Sequence, residues 1–143
     1  NRPMPLVPPV GTYANDSTYN INNLYKKVYE FRYRWVYRNF EKSVWSPYSK
    51  IPCPVDPDSI AIETDPTKNN RIDVRITTGA ADVEKLEIAG RQVISDNLFS
   101  DDFLIVSLDK SELGIGNNTN YIYSFYNASS YPTIDPLESL LLY

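Results

Sequence analysis

Tyr29-Glu30-Phe31-Arg32-Tyr33-Arg34-Trp35-Val36-Tyr37 decides the fold class. Every odd position carries an aromatic ring, and three of the four even positions carry a charge. Side chains of an extended strand alternate between two faces, whereas a helix repeats every ~3.6 residues. Nine residues of alternation therefore predict a half-buried β-strand with its rings inward, and the aromatic enrichment agrees. A slip of one residue would put the charges into the core, so burial fixes the register. Lys26, Lys27, Arg32, Arg34 and Arg38 interleave with rings as in single-strand nucleic-acid binders, where bases stack on exposed aromatics and cations follow the phosphates. The pleat opposes that use. It sends Phe31, Tyr33 and Trp35 to one face and Arg32 and Arg34 to the other. The rings are assigned to a core, and the arginines to pairing with neighbouring strands or subunits.

Outward from this strand, Arg38-Asn39-Phe40-Glu41 reads as a turn and Lys42 to Ser46 as the returning strand of a hairpin. Ile51-Pro52-Cys53-Pro54-Val55-Asp56-Pro57 has three prolines in seven residues, whose missing donors suit an extended linker. A domain boundary is expected there, dividing 1–54 from 55–143. Residues 1–11, with four prolines and a glycine, should be extended, and an edge strand is expected near Gly11 to Thr18. Beyond the linker, short strands are expected at Ile60 to Ile62, over Ile72, Val74 and Ile76, from Val83 to an end at Ala89-Gly90, at Phe103 to Val106, and at Tyr121 to Tyr126. Gly114, Gly116, Asn117 and Asn118 form the turn before the last. No segment has a long helical period. The chain is all-β.

Composition narrows the function. At 143 residues, 42% hydrophobic and 22% charged, the chain is long and apolar enough to bury a core. Its longest apolar runs, such as Phe103 to Val106, fall far short of the ~20 residues that span a bilayer, so no membrane partner is expected. It begins Asn1-Arg2-Pro3-Met4 with neither an initiator methionine nor a signal pattern, and is expected to be a piece of a longer or processed chain. Residues 1–54 hold eight basic and three acidic side chains, and 55–143 hold six and fifteen. Two such parts either attract each other, bind neighbouring copies, or are unrelated surfaces.

With no histidine and one cysteine, transition-metal sites and nucleophile–base pairs are almost excluded. No catalytic residue, metal, cofactor or small-molecule substrate is expected. Cys53 sits in the proline-rich linker with no motif around it. Gly114-Ile115-Gly116 lacks the third glycine of a dinucleotide loop. Asp96, Asp101 and Asp102 offer oxygen ligands, but without the spacing of a calcium loop. Asn15, Asn117 and Asn127 begin glycosylation sequons that matter only in a secreted eukaryotic chain. Trp45 and Tyr48, with Arg32 and Arg34, are the candidate interface: packing is one reading, and a sugar-binding or subunit-contact surface the other.

Tyr29-Glu30-Phe31-Arg32-Tyr33 and Tyr121-Ile122-Tyr123-Ser124-Phe125 share a Tyr-x-aromatic-x-aromatic core, their first tyrosines 92 positions apart. Immunoglobulin-like modules have ~100 residues, so this reads as one strand in two successive modules. Thr119-Asn120-Tyr121 also resembles the entry to the sixth strand of a fibronectin type III sandwich. The expectation is one partial and one nearly complete immunoglobulin/fibronectin type III-like β-sandwich, with 24–50 as the last two strands of the first. A two-stranded hairpin is marginal alone, so the partners of 29–37 are expected from outside this chain.

The run from Tyr29 to Tyr37, then Glu41-Lys42-Ser43 and Ser46, resembles a recurrent signature in long virion proteins of crAss-like and related Bacteroidetes bacteriophages. Arg71-Ile72-Asp73-Val74-Arg75, Glu84 to Ile88 and Ser124-Phe125-Tyr126-Asn127 resemble the module that follows it. The resemblance spans about residues 12–135 and departs at Asn39-Phe40, where a tighter Asp-Gly-like turn is expected. It implies a non-enzymatic part of the phage tail, muzzle-like, located in the virion. Such a part helps form or close the DNA-ejection channel through contacts with other copies and other tail proteins, and meets nucleic acid only as cargo. The alternative is a glycan-binding adhesin or carbohydrate-binding β-sandwich using Trp45 and the tyrosines.

Overall fold

The computed structural model describes residues 2–52 and 67–135. Among these residues seven strands run in the order β1 (Val10–Ala14), β2 (Tyr29–Tyr37), β3 (Arg71–Thr77), β4 (Val83–Ser95), β5 (Leu98–Phe99), β6 (Phe103–Asp109) and β7 (Asn120–Phe125), with one helical turn, α1 (Lys110–Leu113), after β6. They form two antiparallel sheets, so the all-β reading holds. One sheet has the order β1-β3-β7; in the other, β2 and β6 flank β4, and β5 pairs with the far part of β4.

Alternation is plainest in β3. Ile72, Val74 and Ile76 of β3 are buried while Arg75 is exposed. Phe31 and Tyr33 of β2 are wholly buried, and Trp35 is half-buried. One core lies between the sheets, drawing Tyr13, Ile72, Val74, Ile76 and Phe125 from one and Phe31, Tyr33, Leu86, Ile88 and Leu108 from the other. Full burial of each such apolar side chain stabilises by about 1.5–3 kcal/mol. The sheets touch directly where the Phe31 and Phe125 rings meet edge to face at 5.4 Å, and where Trp35 Nε1 donates to the Thr77 carbonyl at 3.1 Å.

Several expectations are corrected. The division near 51–57 does not separate two cores. β2 pairs along its length with β4, Phe31 opposite Gly90 and Trp35 opposite Leu86, and β1 pairs with β3. The partners of the aromatic strand therefore come from this same chain: β4 pairs with its edge, and β3 and β7 of the opposite sheet supply the apolar face over its rings. Strand β4 runs through Ala89-Gly90 to Ser95. Gly90 serves close approach: a Cβ there would lie 3.1 Å from Ile105 and 3.2 Å from Phe103. Lys42 to Ser46 makes only a bridge at Val36–Lys42 and no strand. The turn before β7 begins in α1, capped by Asp109 at its start and by Gly114, in the left-handed region at φ 66°, at its end. The expected strand at 60–62 and Cys53 lie outside the described residues.

The uneven charge is used within the molecule. Arg2 of the basic part reaches Asp82 at 3.3 Å, Arg34 reaches Glu87 at 2.8 Å, and Arg32 pairs with Asp102.

Candidate functional site

The outer face of β2 carries Glu30, Arg32 and Arg34, and the segment 43–49 folds over it. Three serines make the seam. The Ser43, Ser46 and Ser49 amides donate to the Trp35, Tyr33 and Phe31 carbonyls at 2.9, 2.8 and 2.7 Å. In return the Trp35, Tyr33 and Phe31 amides donate to the three serine Oγ atoms at 3.0, 3.1 and 2.9 Å. Each serine thus satisfies both outward groups of one β2 residue, and all three are buried.

This geometry explains why no strand forms. Three residues of the segment advance as far as two residues of strand, ~6.8 Å, or only ~2.3 Å per residue. An extended chain cannot do that. The same spacing of three puts Trp45 and Tyr48 on one side of the seam, over the arginines, while the bonds fall on serines and leave Pro47 without a donor to supply.

The result is a ladder of alternating rings and guanidinium groups. Arg34 lies 4.2 Å from the Trp45 ring centre, and Arg32 lies 5.1 Å from Trp45 and 4.7 Å from Tyr48. Arg91 of β4 lies 3.8 Å from Tyr48 and 3.6 Å from Phe99 of β5. Every guanidinium also has a carboxylate: Arg34 has Glu87, Arg32 has Asp102, and Arg91 has Glu30 at 2.9 Å. Tyr48 donates its hydroxyl to both Asp102 oxygens at 2.8 and 2.9 Å. Burial, reinforced by that hydrogen bond, pushes the Tyr48 phenol well above its ordinary range. Cation–π contacts contribute ~0.5–1 kcal/mol when exposed and ~2 when desolvated. The buried ion pairs give less net stability than their closeness suggests, since both partners lose water.

The four interface candidates are thus brought together, but against one another. Arg32 and Arg34 are 8% and 4% exposed and Trp45 is 7% exposed, so they are covered within the chain, with Arg32 Nε and Trp45 Nε1 left without a hydrogen-bond partner among the described residues. The arginines do point away from the core rings, yet not into solvent. Asp102, weighed as a calcium ligand, is committed to Arg32 and Tyr48, and Asp101 is exposed. Among the described residues no group of three or more His, Cys, Asp or Glu is placed to hold a metal ion. Sequence reasoning missed Arg91, Phe99 and the serines. The serine signal was present as Ser-x-x-Ser-x-x-Ser in step with Trp45 and Tyr48.

A second feature lies at one end of the core. A groove of about 400 Å³ has the Tyr29, Phe103 and Tyr131 rings in its wall and Lys27, Gln92 and Asn127 among its polar groups. Phe103 and Tyr131 stack at 5.6 Å, and Asn127 Nδ2 donates to the Tyr29 hydroxyl at 3.0 Å. Burial holds the Tyr29 phenol up to about 12.

Comparison with protein-family models, curated proteins and solved structures returned no match to this chain.

Proposed function

We propose that this chain is a structural module of a bacteriophage virion tail, immunoglobulin/fibronectin type III-like in build, with no catalytic role of its own. It works through contacts with other copies and with other tail proteins around the DNA-ejection channel. The observation that carries the structural role is the ladder. It ties β2, β4, β5 and the segment 43–49 together across one sheet face: stacking joins all four, and ion pairs lock β2 to β4. That build suits a part under mechanical load. The virion assignment itself rests on the sequence resemblance. Two antiparallel sheets over one core agree with the proposed module type. Immunogold labelling of purified phage particles with antibody raised against this chain is the test. Label at the tail tip is expected. Particles free of the chain by both labelling and mass spectrometry overturn the reading.

One observation favours the glycan-binding alternative. Trp45 is buried and unavailable to a sugar, but the end groove pairs aromatic walls with amide and ammonium groups, the chemistry that recognises a pyranose. A glycan array decides it. Binding that is lost in Tyr131→Ala and kept in Ile122→Ala would favour the adhesin.

A further inference from the structure

The edges of the two sheets are not treated alike. The outward groups of β2 are capped by the three serines. Strand β6 carries an extra residue against β4 between Ile88 and Ala89, and its first part is covered by residues 132–134 through the Leu104-to-Pro132 and Ile134-to-Asp102 hydrogen bonds. Strand β1 is five residues long, follows Pro8-Pro9, and has Pro52 so close that a Cβ on Gly11 would come within 2.7 Å of it. These are standard ways to keep a sheet edge from pairing with another chain. Among the described residues, strand β7 has none of them. It is six residues long in unbroken register with β3, ends its sheet, and reads Asn-Tyr-Ile-Tyr-Ser-Phe, with no charge, proline or bulge.

We propose that β7 is a self-pairing edge: two copies of the chain join β7 to β7 antiparallel about a two-fold axis, making one continuous six-stranded sheet. This rests on, and deepens, the reading that the chain works through contacts with its own copies. A second copy is the fitting occupant because the strand is complementary to itself. Its outward N–H and C=O groups meet the same groups reversed, and no like charges oppose one another. A two-fold axis through Ile122 keeps each face of the sheet in place. It sets Ile122, 57% exposed on the outer face, against its own copy, and it sets Tyr121 opposite Tyr123 twice on the half-buried inner face. Such a contact closes on itself and does not propagate.

The test uses the whole chain with Cys53→Ser, adding Ile122→Cys. Directly opposed residues of an antiparallel pair have Cα atoms ~4.5–5.5 Å apart, within disulfide reach. Mild oxidation should convert most of Ile122→Cys to a covalent dimer. Arg75→Cys, beside Ile122 but on the central strand, should stay monomeric. In sedimentation velocity the parent should show a concentration-dependent dimer that Ser124→Lys, which also gives up the 2.9 Å bond from Ser124 to Asp73, removes while the circular dichroism spectrum stays that of the parent. A parent that self-associates, yet neither cross-links at 122 nor responds to Ser124→Lys, overturns the β7 edge and leaves assembly through copies standing. A parent that stays monomeric throughout, with no cross-link, overturns the inference, while the labelling of particles decides the virion reading separately.

Discussion

Ser46 and Tyr33 exchange two hydrogen bonds: the Ser46 amide donates to the Tyr33 carbonyl at 2.8 Å, and the Tyr33 amide donates to Ser46 Oγ at 3.1 Å. A strand neighbour would use two backbone groups for this. Here one residue supplies both from its amide and its hydroxyl, and that hydroxyl donates its own hydrogen bond to the Pro47 carbonyl at 2.9 Å.

Ser46→Ala should therefore destabilise the fold although it deletes a single oxygen. It leaves the buried Tyr33 amide unpaired, at a cost of about 1–3 kcal/mol. Urea unfolding measures the loss, and hydrogen exchange should quicken most at the amides of 31, 33 and 35. A variant with unchanged urea midpoint and unchanged exchange would mean the serine seam does not hold this edge.

Removing one charge of the ladder should cost more than exchanging it for another cation. Arg32→Ala strands Asp102 in a buried position with only the Tyr48 hydroxyl, and breaking a buried pair in this way costs about 3–5 kcal/mol. Arg32→Lys keeps the charge but loses the planar stacking between Trp45 and Tyr48, so it should fall between the alanine variant and the parent. Thermal melts of the three proteins rank them. A lysine variant as stable as the parent would remove stacking from the account.

Phe40→Gly should stabilise. Phe40 holds φ at 67° in the turn after β2, and its ring is 80% exposed, so little packing is lost. The left-handed conformation costs a residue with a Cβ roughly 1–2 kcal/mol, and glycine avoids most of it. A higher urea midpoint with the same slope is expected. A lower one would show that the ring has contacts that outweigh the backbone strain.

Stability should fall on the alkaline side. Burial raises the Tyr29 phenol to about 12, above its ordinary 10.0, so the folded state holds that proton more tightly than the unfolded chain. Its contribution is complete below the unfolded value and is lost as pH rises through the folded one. Tyr33, Tyr37, Tyr48 and Tyr131 are shifted upward by burial in the same sense. Spectrophotometric titration should show late phenols ionising together with unfolding, and Tyr29→Phe should shift that transition upward. Independent, reversible ionisation of every phenol in an intact fold would contradict it.

The strands were legible wherever one face meets the core and the other does not, as in Phe31 and Tyr33 of β2 or Ile72, Val74 and Ile76 of β3. What they pair with was not. The likeness between 29–33 and 121–125 reads as two modules in tandem, yet Phe31 and Phe125 meet in one core from opposite sheets. Both strands are aromatic because they furnish the same interior. The ladder was hidden for a related reason. Arg32 and Arg34 sit where a strand ordinarily meets water, and only the fold brings Trp45, Arg91, Asp102 and Phe99 to them. The segment 43–49 follows a repeat of three, which neither helix nor strand patterning detects.

The pairing of β2 with β4 also sets the order of events on the ribosome. The rings of β2 are made early, but β4, which pairs with their strand, ends at Ser95, and β3 and β7 of the sheet that covers them end at Thr77 and Phe125. At ~5–20 residues per second, the wait from the end of β2 to the end of β7 lasts roughly 4–18 s, during which an aromatic strand waits uncovered. Nearly all its partners are distant in sequence, so folding is slow by topology as well. The nascent chain in that interval is a substrate for chaperones and for other nascent chains alike, and its yield in a cell depends on synthesis rate and crowding before it depends on the stability of the finished fold.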